Sequence, residues 1–206
     1  MLADLPLLLY ELMMTVPPMV AVLLYYGHRQ NREGFPIRVS SFLLLNLFGF
    51  YLIGVLHVTG AGTLWGGLRN GIDLHSLNLI PFSQEISIKG YLLNGLLFLP
   101  LGFLVPLLFR KMDHWGKLLA LGFGLSLVLE ISQLLSFRAT DVDDLLINSL
   151  GTLAGYGLFK LVGYCCRGRI PPQKLTRCCL TLVLLAVFLS RFFLFDQLGF
   201  LRLFYS

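Results

Sequence analysis

Six apolar runs of about membrane length dominate this sequence, at residues 5–26, 39–59, 88–109, 117–137, 144–164 and 175–195. A helix that crosses a bilayer needs about 20 mostly apolar residues, since the hydrocarbon offers no water to satisfy an open backbone. Only 13% of the 206 residues are charged, about half the share of a soluble domain, so most of the surface must face lipid. The expected fold is therefore all-α, a polytopic membrane helix bundle of about six transmembrane helices. No polar stretch is long enough to bury a second core, and residues 1–206 are read as a single membrane domain.

The first run lacks a positive leader and begins beside Asp4, so it is read as a span and not as a cleaved signal peptide. It contains Glu11 and the pair Pro17-Pro18, which should kink it.

Positive charge sets the orientation. The segments after runs one, three and five carry Arg29, Arg32 and Arg38; Arg110, Lys111 and Lys117; and Arg167, Arg169, Lys174 and Arg177. The other side has Arg69, Lys89, Arg138, Arg191 and Arg202. Cytoplasmic loops collect Lys and Arg, which predicts that both termini and the two even-numbered loops are extracytoplasmic. The same clustering accounts for the net charge of +5 without nucleic acid, for which no basic-aromatic patch argues. No glycine-rich phosphate loop lies on the cytoplasmic side.

The long outer loop, residues 60–87, is glycine-rich at its start (Gly60, Gly62, Gly66, Gly67, Gly71) and holds Trp65, Arg69 and His75. It is expected to be mobile or re-entrant. Neither vicinal cysteine pair, Cys165-Cys166 or Cys178-Cys179, has metal or redox spacing. No histidine has zinc-ligand spacing: His57 and His75 fall near the outer face, His28 and His114 on the other.

Ionisable and amide groups concentrate in residues 125–155, where two runs flank a short polar hinge. Charges inside apolar runs are costly and mark functional sites by default. Residues three and four apart share a helix face. Ser126, Glu130, Gln133 and Phe137 form one such stripe; Asp144, Asn148, Thr152 and Gly155 form another; Tyr91, Asn94, Phe98 and Leu101 form a third. The short hinge makes runs four and five antiparallel neighbours, with Glu130 and Asn148 at similar depth. Gly151 and Gly155 allow close approach of another helix. Asp141 and Asp143 are read as a helix cap or solvated charges, with Arg138 as a surface partner. A carboxyl as deep as Glu130 must be paired, protonated or facing a wet cavity.

Three chemistries fit. Glu130 and Asp144 suit a general acid and base. The carboxylates with Asn148 or Gln133 suit a hard divalent cation. Glu130 with Arg138 suits a polar headgroup, Arg138 gripping phosphate or carboxylate.

The chain resembles the VanZ-like membrane proteins. The residues that carry the resemblance are Asn78-Leu-Ile-Pro-Phe82; Asn94 with Phe98-Leu-Pro100-Leu-Gly102; Glu130 with Gln133; Arg138, Asp141 and Asp144; and Asn148 with Gly151 and Gly155. They span about residues 78–157. The resemblance implies a multi-pass bacterial membrane protein linked to lowered sensitivity to glycopeptides of the teicoplanin type. It supplies no mechanism and no cofactor. The catalytic candidates are Glu130 and Asp144; the binding candidates are Arg138, Gln133, Asn148, Asn94 and Asn78; no metal ligand set is expected. Membrane lipids, a lipid-linked cell-wall precursor or a lipoglycopeptide are the expected partners. The competing expectation is an intramembrane hydrolase or transferase on a lipid headgroup or cell-surface glycan. A transporter would need ionisable groups continuing toward the cytoplasm, where run five offers only Lys160.

Overall fold

A computed structural model describes residues 4–71, 77–78, 80–81, 88–136, 140–166, 175–197 and 199–200. Six of its helices are long and apolar enough to cross a membrane, and the fold is all-α apart from one two-residue strand pairing. The chain divides into two compact units, each woven from segments distant in sequence: Met1–Leu74 with Ser132–Arg138 and Cys178–Ser206, and His75–Ile131 with Ala139–Arg177.

The first unit contains α1 (Asp4–Arg32), α2 (Val39–Thr59), α3 (Leu64–Asn70) and nearly all of α7 (Arg177–Leu194). Helix α1 continues through Pro17 and Pro18 and runs six residues past its expected end. Its Met19 and Leu23 are buried, as are Leu45, Phe48 and Ile53 of α2 and Val183 and Val187 of α7. Helix α2 stops at Gly60, whose φ of 60° is the left-handed conformation that glycine adopts without a Cβ clash.

Helix α3 lies inside the stretch expected to be mobile or re-entrant. Thr63 starts it, its hydroxyl accepting the Gly66 N–H at 3.2 Å. A Cβ on Gly62 or Gly66 would collide with the carbonyls of Ser132 or Leu135. These glycines serve close backbone approach, which composition alone reads as looseness.

The second unit contains α4 (Ile88–Leu108), α5 (Trp115–Gln133) as far as Ile131, and α6 (Val142–Cys165). Strand β1 (Leu77–Asn78) pairs in parallel with β2 (Thr140–Asp141). Helices α4 and α6 run parallel in direct backbone contact: Gly151 abuts the Gly95 carbonyl, Gly155 the Leu99 carbonyl, and Gly102 the Thr152 carbonyl. This is the close approach expected of Gly151 and Gly155. Helix α5 is antiparallel to α6, with Gly122 against the Thr152 side chain. Phe98, Leu101, Val105, Leu118 and Leu129 are buried in this unit.

Helix α5 ends four residues before the expected limit. Leu135 N–H turns back to the Ser132 carbonyl and Ser136 N–H to the Gln133 carbonyl. The side chains of Gln133 and Ser136 bind the carbonyls of Thr59 and Gly60 instead of prolonging the helix.

Candidate functional site

The second unit is polar at the end where α4 and α6 begin. Asp141 caps α6 from an extended backbone, its carboxylate accepting the Asp143 N–H at 3.0 Å. Asp143 and Asp144 follow in the first helical turn, where the helix dipole favours negative charge. Adjacent helical residues diverge by about 100°, yet both meet α4, because their partners are also offset. Tyr91 donates its hydroxyl to Asp143 at 2.5 Å, and Asn94, three residues along, donates its amide to Asp144 at 2.6 Å.

Glu130 approaches from α5. It is 5% exposed and accepts the Asp141 N–H at 3.1 Å. The strand pairing sets Asn78 opposite Asp141, and the Asn78 amide reaches the Asp141 carboxylate at 3.2 Å. One turn deeper, Asn148 donates to the Ser126 hydroxyl at 2.9 Å. The side-chain amide oxygen of Asn148 is buried without a hydrogen-bond partner among the described residues. The arrangement is rich in acceptors and held by neutral donors, a combination that suits a hydroxyl- or amide-bearing ligand. Among the described residues no three carboxylate, thiol or imidazole groups converge as metal ligands.

The structure thus brings Glu130, Asp144, Asn148, Asn94 and Asn78 into one unit. Gln133 belongs to the other, with its amide on the Thr59 carbonyl at 2.8 Å. Arg138 lies outside the described residues. The expectation for Asp143 needs correcting. It is neither cap nor solvated charge but 1% exposed, because the capping position falls at Asp141 and turns Asp143 inward toward Tyr91. Tyr91 and Ser126 belong here too; the sequence stripes contained them, but nothing in periodicity marked them as partners of a carboxylate and an amide.

The first unit holds a charge cluster that sequence reasoning missed. Glu11 of α1, fully buried, accepts from Arg191 Nε of α7 at 2.5 Å and lies 2.5 Å from His57 Nδ1 of α2. Arg191 also donates to the Ala61 carbonyl and lies over the Phe195 ring, 5.2 Å from its centre. The available signal was two opposite charges inside different apolar runs, each near the same predicted face. At the same end, Trp65 donates to the Phe193 carbonyl at 2.8 Å, and Arg69 forms a two-point pair with Asp196. Every charge in the cluster has a partner, which makes it a clamp on the α2–α3 turn.

The family profile described as VanZ/LLP1 matches residues 42–163. The protein VanZ of Enterococcus faecium is 33% identical over 87 residues, which are 42% of this chain and 53% of that relative. The match therefore spans about half the length of the curated relative. No solved structure matches.

Proposed function

The chain belongs to the VanZ/LLP1 family, and on that premise we propose that this multi-pass membrane protein lowers sensitivity to teicoplanin-type glycopeptides and lipoglycopeptides. It acts at the outer face of the bacterial cytoplasmic membrane, altering how the drug engages its lipid-linked cell-wall target. The positive-charge bias of the loops supports that orientation. The observation that carries the reading is the fixed polar corner on α4 and α6, with Tyr91 on Asp143 and Asn94 on Asp144. Ionisable groups inside apolar spans mark ligand sites by default, and unlike the fully paired Glu11–Arg191 clamp this corner includes the buried Asn148 amide oxygen without a partner among the described residues. Asn78, Asn94, Asp144 and Asn148 bind the ligand's hydroxyl and amide groups, and Arg138 its phosphate or carboxylate. Gln133 is left out of this set because its amide holds the Thr59 carbonyl.

The rival reading makes Glu130 and Asp144 the acid and base of a hydrolase or transferase acting on a lipid headgroup or glycan. Glu130 holding the backbone of Asp141 favours a positioning role over proton transfer. The test is teicoplanin susceptibility of a sensitive bacterial host expressing the chain, with membrane abundance measured in parallel. The wild-type chain raises the inhibitory concentration and Asp144→Asn lowers it again at equal abundance. A wild-type chain that leaves susceptibility unchanged refutes the proposal.

A further inference from the structure

We propose that Ser126 is a positioning residue for the ligand site: it holds the Asn148 amide by its nitrogen, leaving the amide oxygen to accept a hydroxyl or N–H group of the ligand. This assignment rests on the functional reading above and gives that site a floor of defined chemistry.

Helices α5 and α6 meet closely because Gly122 has no side chain: a Cβ there would collide with the Thr152 hydroxyl. One turn along α5, Ser126 is thereby brought within reach of Asn148 on α6, whose Nδ2 donates to Ser126 Oγ at 2.9 Å. The two helices are antiparallel, so a further turn on each sets Glu130 level with Asp144. The Ser126–Asn148 bond therefore lies one turn beneath the acidic rim of the site. Ser126 is fully buried and Asn148 is 4% exposed.

A primary amide has a donor end and an acceptor end. With its nitrogen held by Ser126, Asn148 offers Oδ1, which is buried without a partner among the described residues. Buried polar atoms in folded proteins are nearly all paired, and an exception points to a missing water or ligand. Helical side chains lean toward the N-terminus of their helix, which for Asn148 is the Asp144 end. The floor thus selects a donor. A hydroxyl or amide N–H satisfies Oδ1, whereas an ether or ester oxygen in its place sets two acceptors together. The main-chain carbonyl of Asn148 is engaged separately, by the Thr152 hydroxyl at 3.0 Å.

The test is teicoplanin susceptibility of a sensitive host, with membrane abundance and thermal midpoint measured for each form. Ser126→Ala frees the amide to turn and lowers the inhibitory concentration about fivefold at equal abundance, the weight of one neutral hydrogen bond. Ser126→Thr, which keeps the oxygen, retains protection. Thr152→Val removes the hydroxyl from the Asn148 main chain and leaves protection unchanged. Asn148→Leu with Ser126→Ala protects no less than Asn148→Leu alone, because Ser126 acts through the amide. Full protection by Ser126→Ala overturns the proposal and assigns Oδ1 to an internal water. A loss that tracks a fall in abundance or midpoint makes Ser126 a packing residue and overturns it equally. A wild-type chain without effect on susceptibility is a separate failure: it removes the functional reading itself, and this assignment with it.

Discussion

Asn94 of α4 donates its side-chain amide to the Asp144 carboxylate of α6 at 2.6 Å. The bond joins two of the residues assigned to the ligand and fixes where Asp144 presents its charge. Asn94→Asp sets two carboxylates face to face and should reduce protection against teicoplanin as strongly as Asp144→Asn does. The exchange Asn94→Asp with Asp144→Asn restores a donor–acceptor pair. It should recover stability more than activity, since the charge has moved to the other helix. Inhibitory concentrations and thermal midpoints of the four forms check both parts.

Tyr91→Phe removes the hydroxyl from a carboxylate that is almost fully buried. Hydrogen bonds to charged groups contribute about 1.5–3 kcal/mol. The variant should therefore unfold at a lower temperature, and Asp143→Asn in the same background should regain part of the loss. A midpoint unchanged by Tyr91→Phe would show that Asp143 does not depend on this donor.

Gly155→Ala drives a methyl group into the Leu99 carbonyl, whereas Gly157 has open space for one. Overpacking of this kind costs about 1–3 kcal/mol. Gly155→Ala should lower the unfolding midpoint and impair protection; Gly157→Ala should alter neither.

Glu11→Gln leaves the Arg191 guanidinium buried beside a neutral partner. Breaking a buried pair from one side costs about 3–5 kcal/mol, while replacing both members by apolar groups is often far milder. Glu11→Leu combined with Arg191→Met should thus be more stable than Glu11→Gln alone. A double-mutant cycle on thermal unfolding measures the coupling.

Orientation is checked with single cysteines in a chain whose four cysteines are changed to serine. Ile80→Cys should react with an impermeant thiol reagent added to intact cells. His114→Cys, on the side with more Arg and Lys, should react only after permeabilisation. The opposite pattern would invert the topology and remove the outer-face reading.

Much of this was legible from the sequence, and the exceptions have physical causes. Run length located the six spans, because a bilayer imposes it. The stripe of Tyr91 and Asn94 and that of Asp144 and Asn148 followed from helical period, and the structure sets both in the second unit. Asp143 was misread because α6 starts at Val142, two residues before the expected limit, which sets Asp143 inside the first helical turn instead of ahead of it, and pattern alone does not fix that start. Helix α3 was missed because its glycines resemble a loop, while its order comes from the Thr63 cap and from packing on Leu135. The Glu11–Arg191 pair joins residues 180 positions apart, beyond the reach of any local period.

The glycine contacts between α4 and α6 bear on more than packing. Where main chain rests on main chain, no side-chain rotamer is available to absorb a change in spacing. Tyr91, Asn94, Asp143 and Asp144 therefore project from two rods whose separation is fixed before any ligand arrives. For the ligand proposed above, such a corner would be preorganised: a molecule that fits it would lose little affinity to rearrangement of the protein, and one slightly too wide would be rejected instead of accommodated.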